Sequence, residues 1–491
     1  MNRIYFCLIM LTINLCLFSL WTNEQKVTSS DVDIDDCFGY SVSVSGDYAV
    51  VGSYRDDDAG SASGSAYIYE LNNNIWTETA KLTASDADST DWYGTAVNIH
   101  NDTVLIGVDN NDTNDSFAGC AYFYTRNDTI WEEQQVFPIE PQIYSRFGTS
   151  VCIGDSVAVI GAPFLEENGA AYVFTKQDTL WVQEAILTAS DGSSGDYFGN
   201  SVSIHGEYVA VGAPFDDDAG ISSGSGYVFH KVNDVWIEEA KITAIDGEEG
   251  DQLGYTLSLF EDKILVSAFK DDGNFQDTGS VYVFGMYQDE WTFQQKLIAS
   301  DSPLDARFGN SVSLCADTAL IGSYWDHEMG AYSGSAYIFK FDSGEWLQEQ
   351  KLFASDGTHE AVFGFSVSLS EENALIGSYR MDDTGAAYFY SDEDVYAEDD
   401  EIVPANISLT NSPNPFNPST TISFSLTTEH TESTEIFIYN IKGQLVEEIG
   451  VRNWESGIHS VVWNAEKYAS GVYFYKLNVK NSPAKKMMMI K

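Results

Sequence analysis

Between Phe198 and Thr243 the apolar and polar positions of this chain fall into four short bursts. Phe198-Gly-Asn-Ser-Val-Ser-Ile204 alternates with period two and stops at His205-Gly206-Glu207, a strand running into a hairpin turn. Tyr208-Val-Ala-Val-Gly212 is apolar nearly throughout, as expected of a strand covered on both faces. A polar loop from Ala213 to Gly224 carries Asp216-Asp217-Asp218, and Ser225-Gly-Tyr-Val-Phe229 follows it. After a turn at Asn233-Asp234, Trp236-Ile-Glu-Glu-Ala-Lys-Ile-Thr243 interleaves apolar residues with Glu and Lys. Charge along one strand marks an edge protected against pairing, so this fourth strand is placed outermost. Four such strands predict one blade of a β-propeller.

The unit recurs along the chain. Trp21, Trp76, Trp131, Trp181, Trp236, Trp291 and Trp346 step by 55 residues, shortened once to 50. Interleaved with them are Phe38-Gly39, Tyr93-Gly94, Phe147-Gly148, Phe198-Gly199, Leu253-Gly254, Phe308-Gly309 and Phe363-Gly364. Self-similarity at this period means an array of identical units. Trp21 precedes any aromatic-Gly, and Phe363 has no Trp segment after it, so one unit is divided between the two ends. That suits a closed ring of seven blades in which residues 21–28 complete the last. Antiparallel reversal then sorts the connections. The short hairpins share one face, and the long loops, with Asp56-Asp57-Asp58, Asp216-Asp217-Asp218 and Asp271-Asp272, share the other. That face also collects Asp31, Asp86, Asp191, Asp246, Asp301 and Asp356, and loops on a rigid scaffold are where binding residues concentrate.

Charge divides the chain. Residues 406–491 hold 8 basic and 7 acidic residues, leaving 16 basic and 68 acidic before them from totals of 24 and 75. An acidic domain, residues 21–390, therefore precedes a near-neutral one, with the run 391–405 read as a solvated acidic linker. A domain this acidic repels nucleic acid and attracts cations or basic partners. At the other end, Ile4 to Leu20 is an apolar run after Arg3, with the form of a signal peptide over residues 1–20. Cys37, Cys120, Cys152 and Cys315 occupy different positions in different repeats, which supports neither a disulfide framework nor a metal knuckle.

Phe-Gly-x-Ser-Val-Ser followed by Val-Gly-Ala-Pro, at Phe198 to Pro214 and again around Phe147 to Pro163, resembles the FG-GAP repeats of integrin α-subunit propellers. The resemblance covers residues 21–390 and implies a seven-bladed propeller with an extracellular recognition or adhesion role. It does not carry over the calcium sites of that family. Those join the first and second strands, where this chain has turns such as Ser45-Gly46-Asp47, too short to wrap a cation needing six to eight oxygens. The Asp-rich loops here lie between the second and third strands, and are read as solvated loops with Asx turns. Weak calcium binding is their alternative, with Asp56, Asp58, Asp216, Asp218, Asp271 and Asp272 as candidate ligands; no other cofactor is expected.

Pro413-Asn-Pro-Phe-Asn-Pro-Ser, Ile438-Tyr-Asn-Ile-Lys-Gly-Gln-Leu-Val446, Gly471-Val-Tyr-Phe-Tyr-Lys476 and the terminal Lys485-Lys486-Met-Met-Met-Ile-Lys491 resemble the type A sorting domain of type IX secretion substrates. This implies that 406–491 is an Ig-like β-sandwich engaging the secretion machinery. It also implies a protein secreted to, or held on, the surface of a Gram-negative bacterium.

Catalytic signals are weak. The histidines are dispersed, and Gly220-Ile-Ser-Ser-Gly224 matches a nucleophile motif only as letters inside a loop. The reading is a monomeric, non-enzymatic recognition protein for an extracellular protein or glycan. Its ligand face includes Asp86, Asp191, Asp246, Asp301 and Asp356 with the out-of-period Trp92 and Trp325. The alternative is a polysaccharide hydrolase working through paired carboxylates of the acidic face.

Overall fold

The computed structural model describes residues 21–31, 33–165, 168–272, 276–392, 409–426, 434–440, 445–451, 457–477 and 485–491. The expected signal peptide and residues 393–405 of the expected linker lie outside the described residues. The chain divides into two compact units, residues 1–396 and 397–491.

The first unit is seven four-stranded antiparallel sheets, each paired in chain order from the innermost strand outwards. The first blade consists of Ser41–Ser45, Tyr48–Ser53, Ser65–Asn72 and Ile75–Leu82. Its second strand is buried apart from Tyr48, which is half-buried, and its fourth alternates buried and exposed positions, as the polarity pattern requires. The last blade takes Ser366–Leu369, Asn373–Ser378 and Ala386–Asp392, and Trp21–Val27 adds to it as the outer strand. Trp21 pairs with Asp392 and Val27 with Ala387, so the third strand runs two residues into the segment expected to be linker.

Three sets of contacts repeat around the ring, and the closing seam uses the same ones. At the rim, a glutamine side chain clamps the backbone of the next blade's tryptophan from both sides. Gln134 clamps Trp181 at 2.8 and 2.9 Å, and Gln295 clamps Trp346 at 2.8 Å for both bonds. Gln350 of the sixth blade clamps Trp21 at 2.9 Å twice, and at the seam between the last and first blades Gln25 clamps Trp76 at 2.7 and 2.9 Å. Near the axis, a serine of the innermost strand accepts an N–H from the following blade in five of the seven blades, and Asn98 takes that place in the second, accepting from Ile153 at 2.9 Å. Ile99 donates to Ser43 at 3.1 Å, Leu314 to Ser258 at 3.0 Å, and Val44 closes the circle on Ser368 at 3.0 Å. Cys152 stands at a serine position and meets the N–H of Ile204, which accounts for one of the dispersed cysteines. Between these, backbone approaches backbone. A Cβ on Gly52 would lie 2.2 Å from the carbonyl oxygen of Gly94 in the next blade. Gly39, at φ +86°, would meet the Ala386 carbonyl at the same distance.

The second unit is a sandwich of two sheets. One is Leu409–Ser412, Ser419–Leu426 and Gly457–Asn464; the other is Leu445–Val451, Thr434–Asn440, Gly471–Leu477 and Lys485–Met489. Phe416, Ile422, Phe424, Ile436, Ile438, Trp463, Tyr475 and Met487 fill the space between them. The terminal Lys-Lys-Met-Met-Met run is thus an edge strand that turns Met487 and Met489 inward.

Trp21 is 2% exposed, and truncating a buried tryptophan costs about 3–5 kcal/mol. Trp21→Ala is therefore expected to lower the melting temperature of the propeller sharply, and removal of residues 1–36 to leave it aggregation-prone. Calorimetric scans that superimpose on wild type would disprove closure through the N-terminal strand.

Candidate functional site

The long-loop face has two zones. In the outer zone a three-part cluster repeats. The outer strand of the first blade sends Lys81 inward over the Tyr67 ring, and its Nζ donates to Asp31 at 2.6 Å, Asp56 at 2.9 Å and Asp58 at 2.6 Å. The Tyr67 hydroxyl donates to Asp31 at 2.7 Å and Asp56 at 2.6 Å. Lys241 and Tyr227 bind Asp191, Asp216 and Asp218 in the same way, and Lys296 and Tyr282 bind Asp246 and Asp271. Lys351 and Tyr337 bind Asp301 and Asp326. Burial opposes charge on Lys81 and Lys241, but the hydrogen bonds they donate to the aspartates outweigh it and hold both amines above the usual lysine range. The same bonds overcome burial on Asp31, Asp191, Asp246 and Asp356 and hold them below the usual carboxylate range.

These contacts correct two expectations. The strand-four lysines do not serve as exposed edge charges, because they turn onto the loop aspartates. The Asp-rich loops are not wholly solvated either, since Asp56, Asp216 and Asp271 are buried. One oxygen each of Asp31, Asp56 and Asp58 lies within 4.8 Å of the others, around an ammonium that already occupies their centre. The middle acids behave as expected, the Asp57 carboxylate accepting the Ala62 N–H at 2.6 Å and Asp217 the Ser222 N–H at 2.7 Å in a turn. The calcium candidates Asp56, Asp58, Asp216, Asp218 and Asp271 are thus held by the chain's own cations, while Asp272 accepts the N–H of Asp277.

The blades that differ support this account. In each blade the C=O of the residue in the buried-acid position accepts the N–H of a glycine, which identifies Asp56, Asn111, Leu165, Asp216, Asp271, Asp326 and Met381 as equivalents. The residues paired with the tyrosine on the outer strand are, in the same order, Lys81, Gln135, Ile186, Lys241, Lys296, Lys351 and Lys26. Where the acid becomes Asn the lysine becomes Gln, and where it becomes Leu the lysine becomes Ile. Met381 breaks the exchange, and there Lys26 reaches outward to Asp356 at 2.7 Å and Asp382 at 3.0 Å. Asp86, in the blade with Gln135, accepts from Tyr122 at 2.5 Å and Gln135 at 3.0 Å.

The inner zone has different chemistry. A chain of half-exposed rings runs Trp92, Tyr54, Tyr40, Phe365, Tyr324, Trp325, Tyr332 across four blades, with successive centroids 4.4 to 6.0 Å apart. Tyr379 packs on Tyr40 and Phe365 at 5.4 and 4.6 Å. Burial, with Tyr54, Tyr255 and Tyr379 nearby, holds the Tyr40 hydroxyl well above the ordinary phenol range. Arginines stack on this ribbon. Arg307 lies 4.8 Å from the Trp325 ring and 5.5 Å from Phe269, Arg55 is 5.5 Å from Tyr54, and Arg380 is 5.5 Å from Tyr379. Arg146 instead pairs with Asp109 at 3.2 Å. Among the described residues no carboxylate lies within salt-bridge distance of Arg55, Arg307 or Arg380, and the buried Nε of Arg307 has no hydrogen-bond partner. Trp92 and Trp325 therefore sit together with partners that sequence reading missed. The signal was available, because residues 21–405 hold only five arginines, and four of them flank an aromatic-Gly or follow the second strand.

The hairpin face opens into a cavity of about 940 Å³ along the axis, lined by the serine ring, His100, His205, Phe260 and Cys315. His100 meets Asp155 at 2.8 Å, and His205 packs on Phe260. Gly220 to Gly224 is loop, with Ser223 accepting the Ala219 N–H at 3.2 Å.

The fold defines a seven-bladed propeller followed in the chain by a small β-sandwich unit. Residues 21–69, 76–124, 131–174, 181–229, 236–284, 291–339 and 346–390 each match the FG-GAP repeat, and the chain belongs to that family. Residues 412–491 match the secretion system C-terminal sorting domain, which marks type IX secreted or cell-surface proteins of Bacteroidetes and implies engagement with that machinery. No helix among the described residues is long and apolar enough to cross a membrane. No curated protein matches the chain. Among solved structures it is similar to a puromycin-hydrolyzing peptidase of Mycobacterium tuberculosis, at 12% identity over 83% of this chain and 60% of that one, with a TM-score of 0.42. An ulvan lyase shares 11% identity over 74% and 95%, with a TM-score of 0.42. AofleA from Arthrobotrys oligospora shares 13% over 69% and 91%, with a TM-score of 0.39. These are distant likenesses of architecture.

Two outcomes follow from the clusters. Lys81→Met strands the buried Asp56 carboxylate and is expected to cost about 2–4 kcal/mol. Adding calcium should restore part of that loss in the variant, yet leave wild type within a degree or two. Lys81→Gln with Asp56→Asn, copying the blade of Asn111 and Gln135, should be nearly neutral. Calorimetry with and without calcium checks all three, and a wild type stabilised strongly by calcium would refute the internal-cation reading.

The second outcome concerns pH. Burial, opposed in part by backbone N–H groups, pushes the carboxyls of Asp36 and Asp251 up to about 6. A carboxyl raised in the folded state favours folding when protonated, so stability should increase as pH falls through 6 towards 4. Asp31, Asp191, Asp246 and Asp356 are lowered, so their contribution is present above about 3.8 and lost only below it. Melting temperature should therefore peak between about pH 4 and 5, and a monotonic decline from pH 7 would contradict these assignments.

Proposed function

We propose that the protein is a monomeric recognition module, displayed on or released from the cell surface, that binds an extracellular protein or glycan on the loop face of its propeller. The observation that carries this reading is the axial ribbon of half-exposed rings with three guanidiniums lacking acidic partners, in a segment with 68 acidic residues. Aromatic faces and arginine are the side chains that dominate recognition surfaces. The rim aspartates Asp86, Asp191, Asp246, Asp301 and Asp356 become scaffolding in this reading, and Trp92 and Trp325 remain in the ligand surface. Hydrolysis by paired carboxylates would need a proton-donating acid beside a base within reach of substrate. The rim pairs share a lysine or a tyrosine hydroxyl, and the raised carboxyls of Asp36 and Asp251 are buried and accept the backbone N–H groups of Asp33 and Glu248.

Full-length protein applied to glycan and protein arrays should give hits that Trp325→Ala and Tyr54→Ala reduce at least tenfold, with melting temperatures near wild type. Hits unaffected by both changes would move recognition off this face. Release of new reducing ends from a bound polysaccharide would replace the reading by the hydrolase one.

A further inference from the structure

Resting on that reading, we propose that the ligand is an acidic polysaccharide, one bearing carboxylate or sulfate groups, laid along the aromatic ribbon with its anions on Arg307, Arg55 and Arg380. The placement of positive charge leads to this assignment. Of the ten lysines in residues 21–405, Lys26, Lys81, Lys241, Lys296 and Lys351 are spent on loop aspartates at the rim. The arginines are drawn to the axis instead. Of the five arginines in residues 21–405, Arg126 and Arg146 face Glu70 and Asp109, and the other three all lie on one ribbon.

Their geometry fits oxyanions on a sugar chain. A guanidinium presents a planar fork of donors that matches carboxylate or sulfate in bidentate fashion, which a lysine ammonium does not. Each of the three lies 4.8–5.5 Å from a ring centroid, a contact that consumes none of its N–H groups. Arg55 lies over Tyr54 and Arg380 over Tyr379, and both of those rings pack on Tyr40, at 4.4 and 5.4 Å, where the first and last blades meet. Arg307 and Trp325 hold the other end of the ribbon, where the Arg307 Nε is buried and unsatisfied. A buried donor without an acceptor is costly, and a ligand oxygen arriving there removes that cost. Between the arginines the surface is ring faces. The C–H face of a pyranose stacks on such rings, while an acidic peptide offers them only flexible side chains.

The test uses full-length protein in 150 mM salt, with four probes: a polyuronate, a sulfated galactan, a neutral glucan and polyglutamate. Binding is followed by biolayer interferometry, and folding of each variant by its melting temperature. At least one acidic polysaccharide should bind, and neither the neutral glucan nor polyglutamate should. Arg307→Gln should weaken binding about tenfold, as loss of one charge-assisted pair implies, and Arg307→Lys should recover little of it. The double change Arg55→Gln, Arg380→Gln lies at exposed positions, so it keeps the test decisive should Arg307→Gln fold poorly. Arg126→Gln, at the hairpin end against Tyr48, should change nothing. Equal binding of polyglutamate would reduce the site to bare charge and overturn the proposal, as would acidic-glycan binding indifferent to the arginine variants. A neutral glycan or a protein captured through Trp325 would also overturn it while leaving recognition on this face intact. If no probe or array ligand depends on the face, the recognition reading falls with it.

Discussion

The propeller depends on backbone meeting backbone at each seam between blades. The second strand of one blade lies so close to the aromatic-Gly turn of the next that a Cβ on Gly52, Gly107, Gly161, Gly212, Gly322 or Gly377 would come within 2.0–2.2 Å of a carbonyl oxygen. Glycine is demanded on both sides, which is why the sequence motif is written around it. The fifth blade shows what relaxing the constraint does. Ser267 stands where the others have Gly, and a Cβ on Gly309 of the following blade would lie 3.1 Å from the Ser280 carbonyl oxygen, where its equivalents would come within 2.2–2.6 Å of theirs. The innermost strand there starts only at Val312. With the seam set by glycine, serine hydroxyls near the axis and glutamine clamps at the rim finish it. The closing seam has all three, so a single N-terminal strand is enough to lock seven blades.

Close seams also explain the rim clusters. Packing the third strand of each blade between neighbours buries the acid that starts the long loop, and a buried carboxylate needs a partner. The outer strand supplies it, because residues facing inward there lie beside the tyrosine of the third strand. Acid with lysine, amide with amide and aliphatic with aliphatic are three solutions to one packing problem within a single chain. The acidic look of this face therefore overstates its free charge, since much of the carboxylate content is internal structure.

That distinction marks the limit of what the sequence revealed. Period and polarity were enough for blade number, strand order, the split blade and the sorting of loops between faces, because each follows from spacing alone. Asp56 and Asp57 are adjacent identical letters, yet one is buried under Lys81 and the other caps a turn at the surface. Their difference rests on contacts 25 residues away, which no local pattern encodes. Trp92 and Trp325 were visible because they break the period. Arg55, Arg307 and Arg380 were passed over because net charge was counted as a sum, although their scarcity and their regular place beside aromatics were both legible.

Taken together, the two zones give the loop face a field that changes sign with distance. Far from the surface the excess of carboxylates dominates, and at low ionic strength, where the screening length is about 30 Å, it repels polyanions and draws in cations. At about 0.15 M salt the screening length is near 8 Å, and a group reaching the axis responds chiefly to the nearest charges. Those nearest charges are Arg55, Arg307 and Arg380 on their rings, whereas each rim cluster sets one lysine against two or three carboxylates and keeps a net negative charge farther out. Placing arginine at the axis and lysine at the rim thus keeps loosely held anions away while leaving the centre receptive to one whose shape lets it stack. Selectivity on this face comes from requiring ring contact before the positive charge can be felt.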